Sequence, residues 1–135
     1  MRIISQILKK IQTPMIKVKT IIKVSPGKGV GLFALENIMK GQLIYDEGSY
    51  EKIFHKDNLS NLNQHEIDYY ENYSWRVGDY IYLSTDNTMY INHSNEPNID
   101  GMSGRALKNI KIGEELTEDY STFDADFNDY IETYI

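Results

Sequence analysis

The chain has 135 residues, 41% of them hydrophobic and 12% aromatic, which suits one domain with a real core and excludes two. Its net charge of −6 argues against direct nucleic-acid binding, and the lack of cysteine excludes disulfides and thiolate metal sites. No stretch approaches a membrane span or the long apolar core of a secretory signal, so no membrane contact and an intracellular location are expected.

Charge is spread unevenly. Residues 1–40 carry eight Lys/Arg against the single acid Glu36, whereas from Glu114 onward there are eight Asp/Glu and no Lys/Arg. Ordinary solvated faces account for most such runs. An acidic groove for a basic, lysine-rich partner would produce the same pattern.

Ile3, Ile4, Ile7, Leu8 and Ile11 fall near helical spacing. They predict an amphipathic helix over residues 1–15, packed on the domain or on a second copy, which makes a homodimer a candidate assembly. Pro14 breaks the helix. Ile16, Val18, Ile21, Ile22 and Val24 alternate with lysines and predict a strand with one exposed face. Ser25-Pro26-Gly27-Lys28-Gly29-Val30-Gly31-Leu32-Phe33-Ala34 then reads as a loop whose backbone approaches something closely or takes positive φ. It is not a phosphate loop: no Lys-Ser/Thr pair follows the glycines, and Gly-x-Gly-x-x-Gly is not completed.

Gln42-Leu43-Ile44-Tyr45 is the next expected strand. Residues 59–73 carry a mixed apolar stripe that predicts one short helix capped by Ser60 or Asn61. Strands are expected over residues 80–84, 89–91 and 106–110, and an extended segment over 114–120. Phe127, Tyr130, Ile131 and Tyr134 stand at i, i+3, i+4, i+7 and predict a helix over residues 124–135. Trp75, Tyr80 and Tyr82 read as sheet packing. His55, His65 and His93 are not spaced as metal ligands, and no metal is expected. His55 and His65 read as surface residues and His93 as a structural, hydrogen-bonded one.

The polar groups concentrate in Tyr90-Ile91-Asn92-His93-Ser94-Asn95-Glu96-Pro97-Asn98. Such a cluster is a surface turn after a strand, since Asn, Ser and Pro dominate turns, or a polar site fed by a buried strand. Two other pieces stand in fixed order around it: Lys28-Gly29-Val30-Gly31-Leu32-Phe33-Ala34 before, and Gly113-Glu114-Glu115-Leu116-Thr117-Glu118-Asp119-Tyr120 after. Together the three resemble the SET-domain protein-lysine methyltransferases, and most of all their compact bacterial or viral members.

The resemblance covers roughly residues 16–123. It implies a mainly β fold of small sheets with a pseudoknot, a short helical insert and short terminal helices. It implies S-adenosyl-L-methionine as methyl donor, S-adenosyl-L-homocysteine as product, and lysine in a histone-like or other basic protein as acceptor. By motif position Tyr120 is the catalytic tyrosine. The backbone around Lys28, Gly29, Val30 and Gly31, with Asn92 and the His93 backbone, would hold the donor. Tyr45 and Glu118 would line the acceptor channel. Histone-directed members often carry an aromatic where Glu118 stands, and the zinc-binding segment that often follows the domain is missing. Phe123 and the helix over 124–135 are then expected to cover the donor. These departures leave a second reading open, a catalytically weak or inactive SET-like module that binds protein or peptide.

The chemistry agrees with the residue types. Methyl transfer from a sulfonium to an amine needs no metal, but it needs donor and acceptor aligned and the amine neutral. A lysine titrating near ~10.4 in water is driven toward neutrality by a narrow channel and an adjacent positive charge.

Overall fold

The computed structural model describes residues 16–46, 52–84 and 86–123. The helices expected over 1–15 and 124–135 lie outside these residues. The rest is a mainly β fold of three small sheets with one α-helix and short 3-10 turns.

The glycine-rich stretch is a strand, not a loop. Strand β1 (Thr20–Ser25) and strand β2 (Gly29–Ala34) form an antiparallel hairpin whose register runs from Thr20 opposite Ala34 to Ser25 opposite Gly29. Only residues 26–28 turn, closed by the Lys28 N–H on the Ser25 carbonyl at 3.0 Å. Within the hairpin β2 carries the burial, through Leu32 and Ala34. The apolar residues of β1 expected to face inward stay largely outside: Ile21, Ile22 and Val24 are exposed, Val24 by 76%. β1 is thus an outer ribbon whose one buried residue, Ser25, is polar.

The main core gathers Val18, Leu32, Ala34, Ile38, Ile44, Ile91, Ile99, Ala106, Ile110 and Leu116. Each segment contributes one or two of these residues. The stretches 42–45 and 106–110 were expected as strands, but they make single bridges: Leu43 with Arg105, Ile99 with Ala106, Ile38 with Ile110, and Tyr45 with Ile16. Ile38 and Ile110 exchange both backbone hydrogen bonds at 2.8 Å, and bends at Leu107 and Lys108 separate that rung from the next. β-prone side chains are present here, but the chain turns before a ladder can extend.

The insert is a separate layer. β3 (Lys52–His55), β5 (Tyr80–Leu83) and β4 (Ser74–Val77) form an antiparallel sheet in that order. Helix α1 (Gln64–Tyr73) starts later than the sequence suggests. Its cap is Asn63, in a capping box with Glu66: the Glu66 N–H donates to Asn63 Oδ1 at 2.9 Å and the Asn63 N–H to Glu66 Oε1 at 3.3 Å. Strand β4 follows α1 with no Gly or Pro between them, which hid it in the sequence; β3 went equally unread. Residues 89–91 are not a strand either. Asn87–Tyr90 form a 3-10 turn because Asp86 caps it through the Thr88 N–H at 2.9 Å.

The two late motifs interlock. β6 (Asn92–His93) pairs in parallel with β7 (Thr117–Glu118), Asn92 opposite Thr117 and His93 opposite Glu118. Asn98, 6% exposed, clamps the junction: its Nδ2 donates to the Glu115 carbonyl at 2.7 Å and its Oδ1 accepts the Thr117 N–H at 2.8 Å. Replacing Asn98 by Ala strands both backbone groups away from water. We expect Asn98→Ala to lower unfolding free energy by roughly 2–4 kcal/mol in urea denaturation, without changing the secondary-structure content of the native state.

Candidate functional site

A cleft of about 190 Å³ opens beside the hairpin. Lys28, Gly29 and Val30 form one wall; Asn92, His93 and Tyr120 come from the interlocked motifs. Two further sides were not foreseen: Asn72 and Tyr73 at the end of α1, and Met89 and Tyr90 on the 3-10 turn. Met89 and Tyr90 precede Asn92 so closely that motif proximity could have flagged them. Asn72 and Tyr73 carried no such signal.

The two glycines of β2 have different reasons. Gly29 has φ +78 and open space where a Cβ would stand, so its need is conformational. Gly31 is not among the residues that line the cleft. A Cβ there would come within 2.6 Å of Glu115 Oε2 and 3.0 Å of Asn92 Nδ2. The close approach expected of the glycines is therefore, at Gly31, an approach by the chain's own side chains.

His93 is 2% exposed and holds the backbone that carries Tyr120. Its Nδ1 accepts the Tyr120 N–H at 3.1 Å, so Nε2 is the protonated nitrogen and donates to Asn95 Oδ1 at 3.0 Å. Asp119 Oδ1 is 3.8 Å from Nδ1. It is not an ion-pair partner in this tautomer: the Nδ1 lone pair is occupied, and Oδ1 accepts the Ser121 N–H at 3.0 Å and hydroxyl at 2.6 Å. The Tyr120 hydroxyl donates to the Ile91 carbonyl, and its ring packs 5.4 Å from that of His93. Both ends of Tyr120 are thus tied to residues 91–93.

The Lys28 Nζ donates to the His93 carbonyl, joining the hairpin turn to β6 across the cleft. Tyr45 and Glu118 meet each other, the Tyr45 hydroxyl donating to Glu118 Oε1, with Glu118 only 6% exposed. Neither lines this cleft. Phe123 is not among its lining residues. It packs on Gly101, on the edge of Trp75 at 5.9 Å and on Tyr120 at 5.6 Å. Trp75 stacks on Tyr82 at 5.7 Å, making an aromatic row from the insert sheet to Tyr120. Among the described acids from Glu114 onward, three have partners within the domain. Glu118 is buried, Glu115 bonds internally, and Asp119 caps the 3-10 turn Tyr120–Thr122. Among the described residues no three His, Asp or Glu gather to hold a metal ion, and no helix is long and apolar enough to cross a membrane.

A family model for the SET domain matches residues 29–121. The chain belongs to the SET-domain family. Two solved structures share this SET fold. A Plasmodium falciparum protein provisionally designated a histone methyltransferase is 23% identical, with a TM-score of 0.56, over 78% of this chain and 95% of that one. A humanized mutant of the Chaetomium thermophilum Polycomb Repressive Complex 2, bound to the inhibitor GSK126, is 20% identical, with a TM-score of 0.58, over 83% of this chain. The match spans 16% of the Chaetomium chain, so the likeness is to one domain of it. No curated protein sequence matches this SET domain.

The reason given for Gly31 can be checked by a double-mutant cycle. Gly31→Ala is expected to destabilise the domain by about 1–3 kcal/mol. In a Glu115→Ala background, which removes the nearest atoms it would strike, the same change should cost less by at least about 0.5 kcal/mol in chemical denaturation. Additive losses would mean that some other neighbour requires the glycine.

Proposed function

We propose that this SET domain transfers a methyl group from S-adenosyl-L-methionine to the side-chain amine of lysine in a basic protein. The observation that carries this reading is convergence. The glycine hairpin, Asn92, His93 and Tyr120, far apart in sequence, meet around one cleft.

The donor set suits such a ligand. Gly29 leaves its backbone bare on the cleft wall, Asn92 offers an amide, and Lys28 offers an ammonium with donors beyond the one given to His93. When bound, S-adenosyl-L-methionine supplies a methyl group on a positively charged sulfur. The protein's share is alignment and desolvation, with no covalent intermediate on the chain. Tyr120 is the residue we assign to orienting the acceptor amine. It is held at its main chain by His93 and at its hydroxyl by the Ile91 carbonyl, so its position is fixed before any ligand arrives. Tyr45 and Glu118 are assigned to the acceptor channel, where a phenol bonded to a carboxylate would give a cationic side chain a polar partner on entry. The acceptor peptide is proposed to lie extended along a sheet edge; among the described strands β3 and β4 border the three-stranded sheet.

Calorimetric titration with S-adenosyl-L-methionine and with S-adenosyl-L-homocysteine is expected to give saturable one-to-one binding. Labelled-methyl transfer to arrays of lysine peptides and basic proteins should then mark lysine. If neither binding nor transfer occurs, even with basic proteins added, the domain is a binding module instead. Tyr120→Phe should keep product affinity within about threefold yet slow transfer by on the order of 100-fold. Parallel loss of both would remove Tyr120 from this role.

A further inference from the structure

Glu115 does not line the cleft, yet it organises a residue that does. Its Oε1 accepts the Ser25 hydroxyl at 2.7 Å, and its Oε2 accepts Asn92 Nδ2 at 2.9 Å. Asn92 Nδ2 also donates to the Val30 carbonyl at 3.0 Å. Both neighbours of that amide are acceptors with no hydrogen to give. The nitrogen of the Asn92 amide must therefore face them, whichever way the group could otherwise turn. Oδ1, the other pole of a side chain on the cleft wall, accepts no hydrogen bond among the described residues.

We propose that Glu115 is a positioning residue that fixes which pole of the Asn92 amide meets the ligand. A cleft presenting an amide oxygen selects a ligand that carries a protonated amine. The inference rests on the proposed use of S-adenosyl-L-methionine and assigns the reading of its amino group to an amide set by Glu115. The surroundings are built for this. Ser25 is buried at the end of β1 and restrains Oε1, while Gly31 leaves room for the carboxylate to lie against β2. The Glu115 carbonyl is held separately, by Asn98, so the backbone stays in place when the side chain is changed.

The test is a ratio of affinities measured on one protein sample. S-adenosyl-L-homocysteine is compared with its desamino analogue, in which hydrogen replaces the α-amino group, and with 5′-methylthioadenosine, which lacks the whole amino-acid part. The unmodified protein should prefer the amine-bearing ligand by roughly tenfold or more, the range of a charge-assisted hydrogen bond. Glu115→Leu removes one of the two acceptors that hold the amide nitrogen and leaves the Val30 carbonyl, so that ratio should fall while affinity for 5′-methylthioadenosine is kept. Glu115→Gln should restore the ratio: its amide oxygen can accept from Asn92 while its nitrogen donates to the Ser25 hydroxyl, which can reverse roles.

Ser25→Ala is a smaller excision for the case where Glu115→Leu does not fold. It should move the ratio in the same direction, by less. A Glu115→Leu protein that weakens all three ligands equally, or a ratio unmoved in both variants, overturns the proposal and leaves the donor assignment standing. The unmodified protein binding none of the three would overturn the proposed function and this inference with it.

Discussion

The parallel pairing of β6 with β7, clamped by Asn98, is the constraint on which the rest depends. It brings Asn92 and His93 against Thr117 and Glu118 and so sets Tyr120 beneath the cleft. It also seats Ile91, Ile99 and Leu116 in the core. Site and core therefore share the same backbone rungs. A polar side chain inside such a junction is tolerated because both ends of its amide are satisfied; half satisfied, it would be a large liability. Asn98 meets that condition with two backbone partners.

A second layer of order radiates from this junction as side chains that hold other side chains. His93 fixes the Tyr120 main chain, Ile91 fixes its hydroxyl, Glu115 fixes Asn92, and Lys28 ties the hairpin turn to the His93 carbonyl. Few of these groups are free to reorient, which agrees with the proposed methyl transfer, a reaction that asks for alignment more than acid–base chemistry. Buried His93 is the clearest instance. Its chemistry invites a general-base role, but both ring nitrogens are committed to the protein.

The motifs were legible because their residue types answer to demands few others meet. Gly29 needs positive φ, and the Asn-His-Ser-Asn run supplies amide and imidazole groups at fixed spacing. The elements that position them were harder to read. Tyr90-Ile91 looks like strand by side chain, yet Asp86 bends residues 87–90 into a 3-10 turn through local side-chain bonds. Ile110 and Leu43 look like strand residues and make one rung each, because tertiary context decides ladder length. Glu115 and Glu118 were counted in an acidic run. Their internal roles depend on Ser25, Asn92 and Tyr45, partners that sequence distance conceals.

The Ser25–Glu115 hydrogen bond joins residues 90 positions apart, and Lys28 reaches across 65 to His93. Contacts of this kind close long loops, and their entropic cost falls due before any reward from packing. The hairpin and α1 can form locally, but the cleft cannot exist in a partly folded chain. A growing polypeptide would acquire the cleft only after residues as late as Tyr120 had left the ribosome. The cleft is thus a mark of the completed fold, not of progress toward it.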